Sequence, residues 1–229
     1  MTAADTGAAP DGAARSEGGA EDGAARTDGR AEDERTADGR WRLFLAIEVA
    51  PDAAATIDAG LAPLRRRHKA KWTSTDAFHL TLAFLGSIDP AAAPAIGDLA
   101  RTVAARTAPF AIATTTGGGV RRLRDGTAWL GIGEGATTIR ALADELATGV
   151  AAILGPDGPA PRRAPAPHLT VARRASQALI DDLASEAGGP IHVGWTAERI
   201  VLLRSHLDPD RARYVLVDAA PLRGAPARG

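Results

Sequence analysis

From Trp41 onward the apolar positions fall into blocks whose spacing switches between strand and helix character. Leu43-Phe44-Leu45-Ala46-Ile47 is an unbroken apolar run closed by Pro51, the pattern of a buried strand over residues 42–49. Ile57, Leu61 and Leu64 then recur on one side of a helix over residues 53–66, with Asp52 as its cap, arginines in its last turn and Pro63 bending or ending it. After Trp72 and a polar turn, residues 79–85 read as a strand stopped by Gly86. Ile96, Leu99 and Val103 mark a helix over residues 91–105, and residues 110–116 are β-like, followed by a loop at Gly117-Gly118-Gly119.

The second half repeats this order. Residues 127–132 predict a strand, and Ile139, Leu142, Leu146, Val150 and Ile153 line a helix over residues 139–154. A loop rich in Pro, Gly and Arg over residues 155–167 leads to a strand beginning at His168, then a helix over residues 177–186. Strands follow near residues 191–196, 199–204 and 214–218. Leu43 precedes His79 by 36 positions and Trp129 precedes His168 by 39, so each half reads strand, helix, strand, helix at nearly equal spacing. The expectation is two duplicated lobes related by a pseudo-twofold axis.

Composition sets the limits of this unit. Residues 1–39 contain ten acidic residues against four arginines, and no Val, Ile, Leu, Phe, Trp or Tyr. Their net charge of −6 leaves +5 on the remainder of a chain whose total is −1. A segment so poor in apolar surface cannot offset the entropy of ordering it, so residues 1–39 are expected to be a disordered acidic tail. The expected folded unit is residues 40–222, with a flexible C-terminal tail at 223–229. Cysteine is absent, which excludes disulfides, thiolate metal sites and cysteine nucleophiles. No apolar run reaches the length of a membrane span and no secretory signal is visible, so a cytoplasmic protein is expected.

The chemistry lies in two matching tetrads, His79-Leu80-Thr81-Leu82 and His168-Leu169-Thr170-Val171. In a strand, residues two apart share a face, so each His projects with its Thr while the apolar residues anchor the other side. One His-x-Thr is easily accidental; two in parallel contexts are not. Two imidazoles facing one point can remove a proton from an attacking group and supply one to a departing oxygen. Two threonine hydroxyls can donate to non-bridging phosphate oxygens. The scheme suits a phosphodiester and requires neither metal nor cofactor.

The paired tetrads resemble those of the two-histidine (2H) phosphoesterases. Several surrounding stretches are similar to the RNA 2′,3′-cyclic phosphodiesterases, also called 2′-5′ RNA ligases. These are Arg42 to Ile47, Trp72 through Phe78 to Gly86, Pro167 to Arg173, and Leu202-Leu203-Arg204-Ser205 with Tyr214, so that residues 41–222 are covered. The resemblance implies an α+β, bilobal fold with two curved antiparallel sheets flanking a central cleft. It implies hydrolysis of RNA 2′,3′-cyclic phosphate ends to 2′-phosphomonoesters, with His79 as proton donor and His168 as proton acceptor. Some members of that family also join tRNA halves through a 2′-5′ linkage, the same chemistry run towards synthesis. It further implies substrate contacts by Thr81 and Thr170, by Arg173 at the phosphate and by Phe84 against the base. Strict alternation puts Arg173 and Phe84, each five residues after its histidine, on the face opposite that histidine; a bulge or strand end is needed to redirect them. The expected partners are RNA ends or cyclic nucleotides, the expected state is monomeric, and no metal is implied.

Two other readings share the motif: a 2H enzyme for a small cyclic nucleotide or 2′-5′ oligonucleotide, and a non-catalytic module that binds RNA ends. His68, among Arg65, Arg66, Arg67 and Lys69, reads as a solvated basic face able to guide RNA. His192 and His206 read as structural or surface residues. Arg121, Arg122 and Arg124, and likewise Arg162 and Arg163, read as solvated loop residues. The triple glycine lacks the lysine and strand-to-helix setting of a nucleotide-binding loop.

Overall fold

The computed structural model describes residues 39–122, 125–164, 166–206 and 213–225, so most of the expected acidic tail and residues 226–229 lie outside the described residues. β1 (Trp41–Glu48) is apolar on both faces because both are covered. Leu43, Leu45 and Ile47 enter the main core, while Phe44 and Ala46 join Val201 and Leu203 in a smaller cluster. α1 (Pro51–Arg67) differs from expectation at both marked positions. Its first residue is Pro51, whose fixed φ suits that place, and no side chain caps Ala50. Asp52 therefore sits in the first turn, and the helix continues through Pro63 because Ile57, Leu61 and Leu64 remain packed beneath it.

β2 (Lys71–Trp72) is short, and β3 (His79–Ile88) runs past the expected stop. Gly86 adopts φ +75°, which lets the strand absorb an irregularity against β1 and carry on to Ile88. A 3₁₀ turn, Pro90–Ala92, opened by the Asp89 carboxylate accepting from the Ala91 N–H, precedes α2 (Ala93–Ala105).

β4 (Phe110–Arg122) replaces the expected glycine loop with continuous strand. β5 (Asp125–Ile132), α3 (Ala136–Leu154), β6 (His168–Arg173) and α4 (Gln177–Ala184) follow. The glycines serve close packing of α4 on β4. A Cβ on Gly117 meets Leu183 at 3.0 Å, and one on Gly119 meets Ile180 at 2.6 Å and the Thr127 carbonyl oxygen at 2.5 Å.

β7 (Gly194–Ala197), β8 (Arg199–His206) and β9 (Arg213–Pro221) complete the chain. The expected tail at 223–229 is anchored at its start. Arg223 and Gly224 donate backbone hydrogen bonds to Ala104 and Thr107 at the end of α2, so any free tail begins later.

The sheet order is β7-β4-β5-β6-β3-β1-β8-β9, antiparallel throughout, with β2 added beside β6. The fold is α+β with a curled antiparallel half-barrel sheet. Its two halves meet at one residue pair, Leu80↔Leu169, midway between the His and Thr of each tetrad. The duplicated order is visible around that point: β1, α1, β3, α2 in one half and β5, α3, β6, α4 in the other. Leu80, Leu82, Leu169 and Val171 are buried in the main core beneath the helices. Burying Leu80 and Leu169 contributes roughly 1.5–3 kcal/mol apiece, so core packing holds the junction that sets the histidines. Among the described residues no helix is long and apolar enough to cross a membrane.

Candidate active site

His79, Thr81, His168 and Thr170 are half-buried and alternate with the buried Leu80, Leu82, Leu169 and Val171. They therefore share the sheet face opposite the main core, brought together by the Leu80↔Leu169 pair. Carried one position each way, that antiparallel register sets His79 across from Thr170 and His168 across from Thr81. The threonine hydroxyls make no hydrogen bond to a described residue, which leaves them free for a ligand.

The two imidazoles are held alike. His79 Nδ1 lies 2.8 Å from the Ala77 carbonyl oxygen, and His168 Nδ1 lies 3.0 Å from that of Ala166, in each case two residues upstream. A carbonyl only accepts, so each Nδ1 carries hydrogen and each Nε2 is the nitrogen left to exchange a proton. Aromatic rings wall both sides. Phe44 and Tyr214 lie 4.9 and 5.0 Å from the His79 ring, and Trp129 lies 5.3 Å from His168, centroid to centroid. Phe44 and Tyr214 lie in stretches that carry the resemblance, but nothing there singles them out as site residues, and no motif marks Trp129.

Arg173 and Phe84 reach the histidine face through two matched bulges. Thr81 and Ala83 pair with the adjacent residues Ala46 and Leu45, so Leu82 is an extra residue in β3. Thr170 and Ala172 pair with Trp129 and Ala128, so Val171 is the extra residue in β6. Each bulge reverses the alternation between the tetrad and the residue five beyond its histidine. Phe84 then packs against the cluster of Phe44, Ala46, Val201 and Leu203, as Tyr214 also does. The Arg173 guanidinium lies near enough to Tyr214 and His79 for its charge to be felt at both. Phe84 carries two further neighbours: the Arg42 guanidinium lies 4.5 Å from its ring centroid and that of Arg162 5.8 Å.

Burial within this wall pushes His79 down from 6.5 to about 4, with the positive charges of Arg173 and His168 adding to the effect and the Ala77 hydrogen bond opposing it. Burial raises Tyr214, against a lesser opposing effect of Arg173, so it stays a neutral phenol. Since His79 binds its proton more weakly folded than unfolded, stability is full above pH 6.5 and is lost as pH falls towards 4, by up to about 3 kcal/mol. The expected result of a chemical-shift titration of the His79 ring is a midpoint near 4 in the free protein and a higher one with inorganic phosphate bound. A free-protein midpoint at 6.5 contradicts this description of the site.

The remaining candidates separate from the site. The basic run at the end of α1 is in large part paired rather than a solvated face. Arg65 bridges Asp58 at 2.6 Å, and His68 and Arg67 bridge Asp182 of α4 at 2.7 and 3.3 Å. The physical reason is that α1 and α4 place opposite charges side by side. His192 pairs with Glu186 at 3.0 Å. Arg163 pairs with Asp144 of α3 at 2.7 Å, whereas Arg162 exchanges backbone hydrogen bonds with Phe84 at 2.7 and 2.8 Å and is held against the site. Arg124 lies outside the described residues. A groove of about 1010 Å³ opens beside His79, lined among others by Glu48, Asp52, Asp76, Glu198, Arg199 and Tyr214; His168 lies outside it. Among the described residues no group of three or more His, Asp or Glu side chains is placed to hold a metal ion.

Comparison with known proteins bears on this geometry. A family model described as the 2′-5′ RNA ligase superfamily matches residues 50–209. An RNA 2′,3′-cyclic phosphodiesterase of Geobacillus stearothermophilus is 30% identical over 161 residues, covering 68% of this chain and 48% of that protein. The chain thus spans about half the length of that curated relative. The protein TT0787 of Thermus thermophilus shares the fold with a TM-score of 0.67 at 25% identity, over 80% of this chain and 98% of the other. E. coli LigT, crystallised with 3′-AMP, gives a TM-score of 0.64 at 25% identity over the same shares.

Proposed function

Because the chain belongs to the 2′-5′ RNA ligase superfamily, among the two-histidine phosphoesterases, we propose that it hydrolyses RNA 2′,3′-cyclic phosphate ends to 2′-phosphomonoesters. The observation that carries this reading is the matched pair of histidines, each pinned through Nδ1 to a carbonyl with Nε2 left for proton exchange. In the proposed reaction His168 Nε2 takes a proton from water as its oxygen attacks phosphorus. The bond from phosphorus to the 3′-oxygen breaks, and His79 Nε2 gives that oxygen its proton. Thr81, Thr170 and Arg173 donate to the non-bridging oxygens as negative charge builds there. If a ribose 5′-hydroxyl attacks in place of water, the same proton transfers yield a 2′-5′ linkage.

Two like charges so close repel, and the charge of His168 already lowers the affinity of His79 for a proton. The reaction uses one proton shared between two rings, which this repulsion favours over a doubly protonated state. An anionic substrate arriving beside His79 restores its proton affinity.

The test is product analysis. RNA ending in a 2′,3′-cyclic phosphate, incubated with the protein in excess chelator, is converted to the 2′-phosphomonoester, identified by phosphorus NMR. A 3′-phosphomonoester product, or no turnover, overturns the proposal.

A further inference from the structure

The Arg42–Phe84–Arg162 cluster is not used by the reaction above. Phe84 stands between two neighbours on its sheet face: Phe44 of β1 on one flank and the isolated bridge to Arg162 on the other. From those two flanks Arg42 and Arg162 direct their guanidinium groups at one ring. Each contact is a favourable cation–π arrangement, but two cations drawn to one ring repel each other. Neither has a carboxylate partner among the described residues, although Arg163 beside Arg162 and most arginines of α1 do. Backbone hydrogen bonds in both directions between Phe84 and Arg162 fix the main chain from which that side chain extends. Such an arrangement is completed by an anion lying between the guanidinium groups.

The face is also polarised along the strands. At the His79 end β1 presents Glu48, and the adjoining groove carries Asp52, Asp76 and Glu198, with its Arg199 already paired to Glu48. At the other end lie Arg42 and Arg162, with Arg42 close enough to Tyr214 for its charge to be felt there. A polyanion crossing the site is repelled from the first end and drawn to the second.

Resting on the hydrolytic reading above, we infer that Arg42 and Arg162, spaced by Phe84, form a second phosphate subsite that holds the RNA backbone upstream of the reacting terminus and selects an RNA chain over a mononucleotide. Two arginines on a single-stranded ligand add about 1.4 to the slope of log affinity against log salt.

The experiment compares a cyclic mononucleotide with a hexaribonucleotide ending in a 2′,3′-cyclic phosphate. For Arg162→Ala, whose side chain is exposed, and for Arg42→Ala/Arg162→Ala, kcat/KM on the hexamer falls at least tenfold, with a shallower salt slope. On the mononucleotide it changes less than threefold. Equal losses on both substrates overturn the inference by placing the arginines on the reacting phosphate or in the fold; unchanged hexamer rates overturn it outright. Should wild type turn over neither substrate, the hydrolytic reading fails separately. Anisotropy of a labelled hexamer bearing a terminal phosphate then decides: tenfold weaker binding by Arg162→Ala supports the subsite, and equal binding removes it.

Discussion

On the proposed reaction, His168→Ala is expected to lower turnover of a 2′,3′-cyclic phosphate by about 10³-fold or more with no rescue by a better leaving group, whereas the comparable loss in His79→Ala is expected to be rescued when the 3′-oxygen is replaced by sulfur. General acid or base groups each contribute roughly 10²–10⁴ to a rate, which sets the size of both losses. The asymmetry follows from the proposed division of labour. A 3′-thiolate leaves without a proton, so the donor becomes dispensable, while the attacking water still needs its base. The rings sit at matching positions on matching strands, but His79 is packed between Phe44 and Tyr214, so the melting temperatures of both variants are measured beside their rates. Rescue of His168→Ala in place of His79→Ala exchanges the two roles. Full activity in both variants removes acid–base chemistry from these residues.

The burial of His79 gives that experiment a second reading. In the free protein the ring is neutral at physiological pH, since its midpoint is about 4. As donor it must gain its proton when the phosphate anion arrives beside it, so the donor is charged only in the presence of something to protonate. Phe44 and Tyr214 are the cause: they exclude water from the imidazole and leave the ligand as the source of stabilising charge.

How far this site is legible in sequence depends on what each residue must be next to. The tetrads are legible because a period of two is local: Leu80 and Leu82 bury, His79 and Thr81 face away, and no distant contact is needed to say so. The duplicated order is legible for the same reason, since helix and strand periodicities are local. The glycine run of β4 is not. Whether Gly117–Gly119 turns or stays extended depends on how closely α4 approaches it, a contact spanning some sixty residues of chain. Pro63 likewise ends a helix by local rules and does not here, because the packing beneath it is tertiary. The bulges at Leu82 and Val171 lie between these cases. The positions of Phe84 and Arg173 demanded a break in alternation, but only pairing with β1 and β5 fixes where it falls.

Arg173 supplies the second large effect. On the proposed reaction, Arg173→Ala is expected to lower kcat by roughly 10²–10³, the cost of removing one preorganised donor from a site where negative charge develops. Its position supports that size of loss: the guanidinium reaches both Tyr214 and the surroundings of His79, and no carboxylate among the described residues neutralises it. Arg173→Lys recovers only part of the loss, because an ammonium keeps the charge but not the planar fork that meets two phosphate oxygens. Tyr214→Phe separates contact from support. The phenol neighbours the guanidinium without itself meeting the phosphate in the proposed reaction, so its removal costs less than tenfold and spares Arg173 its charge. Arg173 is exposed and Tyr214→Phe removes only a hydroxyl from a half-buried ring, so melting temperatures of all three variants stay near wild type. Arg173→Ala within threefold of wild type, or a Tyr214→Phe loss equal to it, moves the work from the guanidinium to the aromatic wall. In that outcome the bulge at Val171 serves packing alone, and its match to the bulge at Leu82 reflects only the duplicated strand geometry.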